Sequence, residues 1–92
     1  MDNYAMLDCM FQEALLQASQ GKGNARHADG QPFEEQPIMW IEKHFKSFQL
    51  GQAVKKIHES QRLEPDRARA ELFGAMVFLA AKCIDLLPEV EE

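Results

Sequence analysis

A polar, glycine-rich stretch interrupts an otherwise apolar sequence: Gly21-Lys22-Gly23-Asn24-Ala25-Arg26-His27-Ala28-Asp29-Gly30-Gln31-Pro32. Its residue types suit the binding of an anion. Glycines let backbone N–H groups approach a phosphate closely. Lys22 and Arg26 supply charge, and a guanidinium forks onto phosphate or carboxylate. Asn24 and His27 add polar contacts, Phe33 offers a face for stacking on a flat ring, and Gln31 and Gln36 can read polar edges. Lys55 and Lys56 extend the positive charge from a later helix or from a second subunit. Together Lys22, Asn24, Arg26, His27, Phe33, Gln36, Lys55 and Lys56 suit a phosphate-bearing small molecule or nucleotide that is held without being turned over. The stretch lacks the Gly-x-x-x-x-Gly-Lys-Ser/Thr spacing of a P-loop and follows a helical pattern rather than a strand. The alternative therefore stays open that residues 21–36 are a solvated connection, with glycines that turn the chain and with Arg26 or His27 tied to local carbonyls.

Other chemistries have less to build on. Lys43, His44, Lys46, Lys55, Lys56 and His58 form a basic cluster in sequence, balanced by Glu42 and Glu59 as ordinary exposed helix faces would be. No His-x-x-x-His occurs, and neither Cys9 nor Cys83 has a Cys or His at metal-ligand spacing, so two reduced, buried thiols and no metal site are expected. Ser19, Ser47 and Ser60 lie in no nucleophile elbow. The segment Glu71-Leu72-Phe73-Gly74-Ala75-Met76-Val77-Phe78-Leu79 resembles the last helix of the all-helical nucleotide pyrophosphohydrolases, which hold Mg²⁺ with Glu-x-x-Glu and Glu-x-x-Asp pairs. Gly74 stands where that helix would carry Asp, and Glu59 is followed three residues on by Arg62. The resemblance thus implies at most a degenerate, non-catalytic relative, because a Mg²⁺ ion would lack its oxygen ligands.

Hydrophobic periodicity places these residues on helices. Tyr4, Leu7, Phe11, Ala14 and Ala18 form the inner stripe of a first helix over about Asn3 to Gln20, with Gly21 as its C-cap. Glu34-Glu35-Gln36-Pro37 opens a second helix, with Ile38, Ile41 and Phe45 inward and a break expected near Ser47-Phe48-Gln49. A third helix to about Gln61 turns Leu50, Ala53, Val54 and Ile57 inward and Lys55, Lys56, His58 and Glu59 outward. Glu64-Pro65-Asp66 starts a fourth helix that ends near Leu87, before Pro88. Its stretch Leu72 to Ala81 is apolar all round and must be covered on more than one side. No period-two strand pattern occurs. The fold expected is all-α, a small bundle of about four helices in one domain over 1–92, with a long C-terminal helix and an acidic tail at 88–92.

Ninety-two residues allow only a modest core. The small residues Ala70, Gly74 and Ala81 would let another helix approach, so a homo-oligomer is expected, with a monomeric bundle around the long helix as the alternative. With 46% hydrophobic residues the chain is not disordered, and a net charge of −5 speaks against a general nucleic-acid binder. The longest apolar stretch, Leu72 to Leu87, is too short to span a bilayer and carries Lys82 and Asp85. With acids rather than Lys or Arg at the N-terminus, this predicts a cytoplasmic protein without a membrane partner.

Gly21-Lys22-Gly23, Arg26-His27, Pro32-Phe33-Glu34-Glu35-Gln36-Pro37-Ile38, Leu50-Gly51-Gln52-Ala53-Val54-Lys55-Lys56 and Glu71-Leu72-Phe73-Gly74-Ala75 together resemble small accessory proteins of phages and prophages. The resemblance spans most of the chain and implies provenance rather than chemistry. Such proteins counter host defences or redirect host enzymes, some by binding a host protein and others as oligomers that sequester a nucleotide signal. Two functions follow: sequestration of a phosphate-bearing ligand by the glycine-rich loop without catalysis or cofactor, or inhibition of a host protein through the surplus apolar side chains Met6, Met10, Phe11 and Trp40.

Overall fold

Two prolines set where helices begin. Proline disfavours α geometry at the residue before it, and both Gln36 (φ −78°, ψ 159°) and Glu64 (φ −67°, ψ 161°) are extended, each followed by a proline at the first helical position. The computed structural model describes residues 2–20 and 30–88. It is all-helical over those residues. A short 3-10 turn (Asp2–Tyr4) leads into α1 (Ala5–Gln20), a second (Phe33–Glu35) leads into α2 (Pro37–His44), and α3 (Phe48–Ser60) and α4 (Pro65–Asp85) follow. The expected break comes slightly early, at Phe45–Ser47. No helix is long and apolar enough to cross a membrane among the described residues.

The 21 residues of α4 make a rod of about 31 Å, and α3 and α1 pack on two of its sides. α3 and α4 form an antiparallel hairpin through Gln61–Glu64, with Lys56 opposite Glu71 and Gly74 and with Phe48 edge-on to Phe78 at 5.8 Å. On the other side Gln17 of α1 donates through Nε2 to the Ala70 carbonyl at 3.0 Å. The small residues of α4 thus serve contacts within the chain: Ala81 is buried, Ala70 meets α1, and Gly74 receives the aliphatic end of Lys56.

The interior is built from small and polar groups. Among the described residues, the buried apolar ones are Ala14, Met39, Ala53, Ala75 and Ala81, and the largest fully buried side chains are Glu42 and Gln49. Glu42 joins three helices. Its Oε1 accepts the Gln49 backbone N–H at 2.8 Å, and its Oε2 accepts Lys82 Nζ at 2.9 Å. Gln49 lies in the first turn of α3, where an N–H has no helical acceptor. Ser47, the capping residue by position, makes no side-chain cap, so the carboxylate of α2 performs that role and also favours the positive end of the α3 dipole. Gln49 Nε2 in turn donates to the Ile38 carbonyl at 3.0 Å.

This polar tie explains where the faces differ from the periodicity. With Gln49 drawn inward, α3 buries Gln49, Ala53 and Ser60 and turns Leu50, Val54 and Ile57 outward; of the expected inner stripe only Ala53 lies inside. Lys56, expected outside, is half-buried. In α2 the inward residues are Met39 and Glu42, while Trp40 and Phe45 are exposed and Ile38 and Ile41 half-buried. In α1 only Ala14 is buried, and Tyr4, Leu7 and Phe11 are exposed. Cys9 and Cys83 are exposed rather than buried. Each lies well around its helix from a buried alanine, five residues before Ala14 and two after Ala81, at 3.6 residues per turn.

Two outcomes follow. Replacing Glu42 by Ala leaves the Gln49 N–H in the interior without its acceptor, at a cost of roughly 1–3 kcal/mol in urea unfolding. The hydrogen bond from Lys82 to Glu42, then burial acting the other way, then Asp85, together raise the Lys82 pKa above its ordinary 10.5. The stabilisation is therefore complete below 10.5 and is lost as pH rises through the higher folded value; the urea midpoint of the native chain falls more between about pH 9 and pH 12 than that of Glu42→Gln. Separately, Gly74→Ala gains up to about 1 kcal/mol of helix propensity. Its new Cβ meets only the movable end of Lys56, with Cδ at 3.0 Å, so a small net rise in thermal midpoint is expected.

Candidate functional site

The residues nominated for a phosphate site fall into three places. Lys22, Asn24, Arg26 and His27 lie outside the described residues. Phe33 and Gln36 are half-buried in the segment between the glycine-rich stretch and α2. Gly30 there has φ +75°, a conformation that glycine adopts without strain, and the chain turns at this residue. Gln36 Nε2 donates to the Gln31 carbonyl at 2.9 Å, and its backbone N–H bonds Phe33, which folds residues 31–36 into a compact corner rather than a free loop.

Lys55 and Lys56 lie elsewhere and have anionic partners. Lys55 is exposed and 3.7 Å from Glu59. Lys56 reaches across to α4, 3.9 Å from Glu71 and over Gly74. The structure therefore brings Phe33 and Gln36 together but does not bring the two lysines to them. Of the other basic residues, His44 Nδ1 donates to the Trp40 carbonyl at 3.0 Å and stands edge-on to the Trp40 ring, and Arg62 donates to His58 Nε2 at 3.1 Å. Arg69 is paired with Asp66. Glu59 and Glu71, the acids compared with those of the pyrophosphohydrolases, are each engaged with a lysine. No group of three or more His, Cys, Asp or Glu side chains is placed to hold a metal among the described residues.

Phe33 and Gln36 open onto a feature that periodicity did not suggest. A groove of about 590 Å³ runs between α1, α4 and residues 30–36. α1 contributes Phe11, Ala14, Leu15, Ala18 and Ser19, and α4 contributes Met76, Val77, Ala80 and Ile84. The volume lies in the range of small-molecule sites. Its walls are apolar, and among the described residues the only charged lining side chain is Glu34 and no Lys, Arg or His lines it. Such a groove suits aliphatic or aromatic groups; as described it holds nothing that would neutralise a phosphate. The face of α4 that lines it, Met76 to Ile84, differs from the face that meets Lys56. The clue in the sequence was the run of small residues: Ala14 and Ala18, one turn apart, leave space beside Ala80.

The second feature is the outer side of α3. Leu50, Val54 and Ile57 recur at i, i+4 and i+7, one face of a helix, and are 44%, 65% and 44% exposed. This is a continuous apolar stripe on a helix whose inner side is held by Gln49, Lys56 and Ser60. Comparison with known protein families, with curated proteins and with solved structures finds no match to this chain.

Proposed function

We propose that the chain is a phage-type accessory protein that works without catalysis, by docking on a host protein through the outer stripe of α3. The observation that carries this reading is the inverted amphipathicity of α3: Leu50, Val54 and Ile57 face outward while Gln49 and Ser60 are buried. A helix that offers apolar residues at i, i+4 and i+7 has the pattern by which amphipathic helices seat in a partner's groove. Burying what these three side chains expose contributes on the order of 5 kcal/mol at ~25 cal/mol per Å², before the entropy of association is subtracted. The nucleotide-sequestering alternative has less support, since Lys55 and Lys56 are paired with Glu59 and Glu71 and stand apart from Phe33 and Gln36.

Val54→Glu tests the reading with little risk to the fold, because a substitution at so exposed a site shifts stability by about 0.5 kcal/mol or less. The wild-type chain and a Lys22→Ala, Arg26→Ala double variant are expected to recover the same stoichiometric partner from host cells, and Val54→Glu to lose it. Equal recovery by Val54→Glu, or loss with the double variant alone, would overturn the proposal.

A further inference from the structure

The outer side of α3 carries charge as well as apolar surface. From residue 43 to residue 62 the chain has five basic residues, Lys43, Lys46, Lys55, Lys56 and Arg62, and one acid, Glu59, although 15 acids outnumber 10 Lys and Arg overall. The neighbouring acid that would balance this run, Glu42, is 1% exposed and is paired with Lys82. Glu59 takes Lys55, and Lys56 turns to Glu71. Among the described residues Lys43, Lys46 and Arg62 are exposed and have no acidic partner within salt-bridge reach. These charges bracket the stripe of Leu50, Val54 and Ile57. Lys46 precedes α3 and Arg62 follows it. His58, one turn after Val54, accepts a hydrogen bond from Arg62 at 3.1 Å, which holds the guanidinium alongside the stripe.

Gly51 adds a requirement of shape. It lies inside α3, one turn before Val54, and is exposed. Glycine is the poorest helix former after proline, and the chain itself gives no reason for it here. A Cβ at Gly51 would meet nothing within 4 Å, and its backbone is not left-handed. Beside an apolar stripe, a missing side chain lets a second backbone approach closely.

We infer that the surface seated on α3 is an acidic amphipathic helix of the partner protein. It crosses at Gly51, lays aliphatic side chains on Leu50, Val54 and Ile57, and carries Asp or Glu towards Lys46 and Arg62. This rests on the docking role proposed above and names the chemistry of its partner. Opposite charge at the rim of an interface speeds encounter and fixes orientation, and on a chain of net charge −5 it steers an acidic partner to this one face. An anionic bilayer fits less well. Helices that lie in a membrane interface carry large apolar residues along the buried face, and here a glycine stands beside the stripe.

Two synthetic helical peptides of equal length test this, both with Leu at i, i+4 and i+7, one flanked by Glu and the other by Lys, with binding to the full chain followed by surface plasmon resonance. Wild type is expected to bind the Glu peptide and not the Lys peptide, with an association rate that falls as salt rises. The Lys46→Glu, Arg62→Glu double variant is expected to bind the Glu peptide about tenfold more weakly, mainly through slower association and with the salt dependence lost. Gly51→Gln is expected to raise the thermal midpoint by about 3 °C through helix propensity. The same change is expected to weaken the Glu peptide about tenfold, mainly through faster dissociation; a glycine with only a structural role would not separate stability from binding in this way. Preference for the Lys peptide, or binding untouched by the charge and Gly51 variants, would overturn the inference. So would failure of both peptides to bind wild type at about 1 mM. A host partner lost with Val54→Glu would then still uphold docking by the stripe, so the two proposals fail separately. Phosphatidylglycerol vesicles bound by wild type and not by Val54→Glu would assign the stripe to a membrane, and self-association abolished by Val54→Glu would assign it to a second copy; either result overturns the acidic helix.

Discussion

A single buried carboxylate organises this fold. Glu42 leaves α2, caps the first turn of α3 through the Gln49 N–H, and takes the ammonium of Lys82 from α4. A charge in so dry a position is stable only when it is fully paired, and three helices must hold their mutual angles for that pairing to exist. The apolar contacts around it are mostly alanine-sized and tolerate small slides. The Glu42 tie does not, because a displaced donor leaves a bare charge in the interior. Specificity of arrangement here comes from hydrogen-bond geometry more than from the shapes of large side chains.

The same constraint shapes the outside. By drawing Gln49 inward, Glu42 sets the rotation of α3 about its own axis, and that rotation sends Leu50, Val54 and Ile57 into solvent. Alanines at the α1–α4 seam bring the helices close at Ala14 yet leave a trough beside Ala18 and Ala80. An interior made of polar and small groups and a surface rich in large apolar ones are thus two results of one arrangement.

Much of the fold was legible in the sequence. Pro37 and Pro65 marked two helix starts because the restriction they impose is local, and the break between α2 and α3 was expected at 47–49, two residues beyond where it falls. The inward faces were legible only in part: Ala14 and Ala53 were expected inside and are buried, whereas Leu50, Val54 and Ile57 were expected inside and are exposed. Glu42, Gln49 and Lys82 read singly as surface residues, and what places them inside is a contact between positions 40 residues apart. Of the proposed phosphate ligands, Phe33 and Gln36 do share a site, but it is apolar, and Lys55 and Lys56 are claimed by neighbouring acids. The groove escaped notice because alanines at helical spacing signal close packing, and the same spacing also leaves a hollow when the opposite helix is alanine-faced.

The position of Lys82 also bears on the order in which the molecule comes together. The hydrogen bonds within α1, α2 and α3 are local, whereas the carboxylate of Glu42 takes its counter-charge from Lys82, 40 residues further along. Until α4 docks, that carboxylate stays open to water, so the burial of Glu42 and the arrival of Lys82 are one event. Closure of this part of the interior therefore depends on a contact of long sequence separation, which forms more slowly than the local turns of the helices.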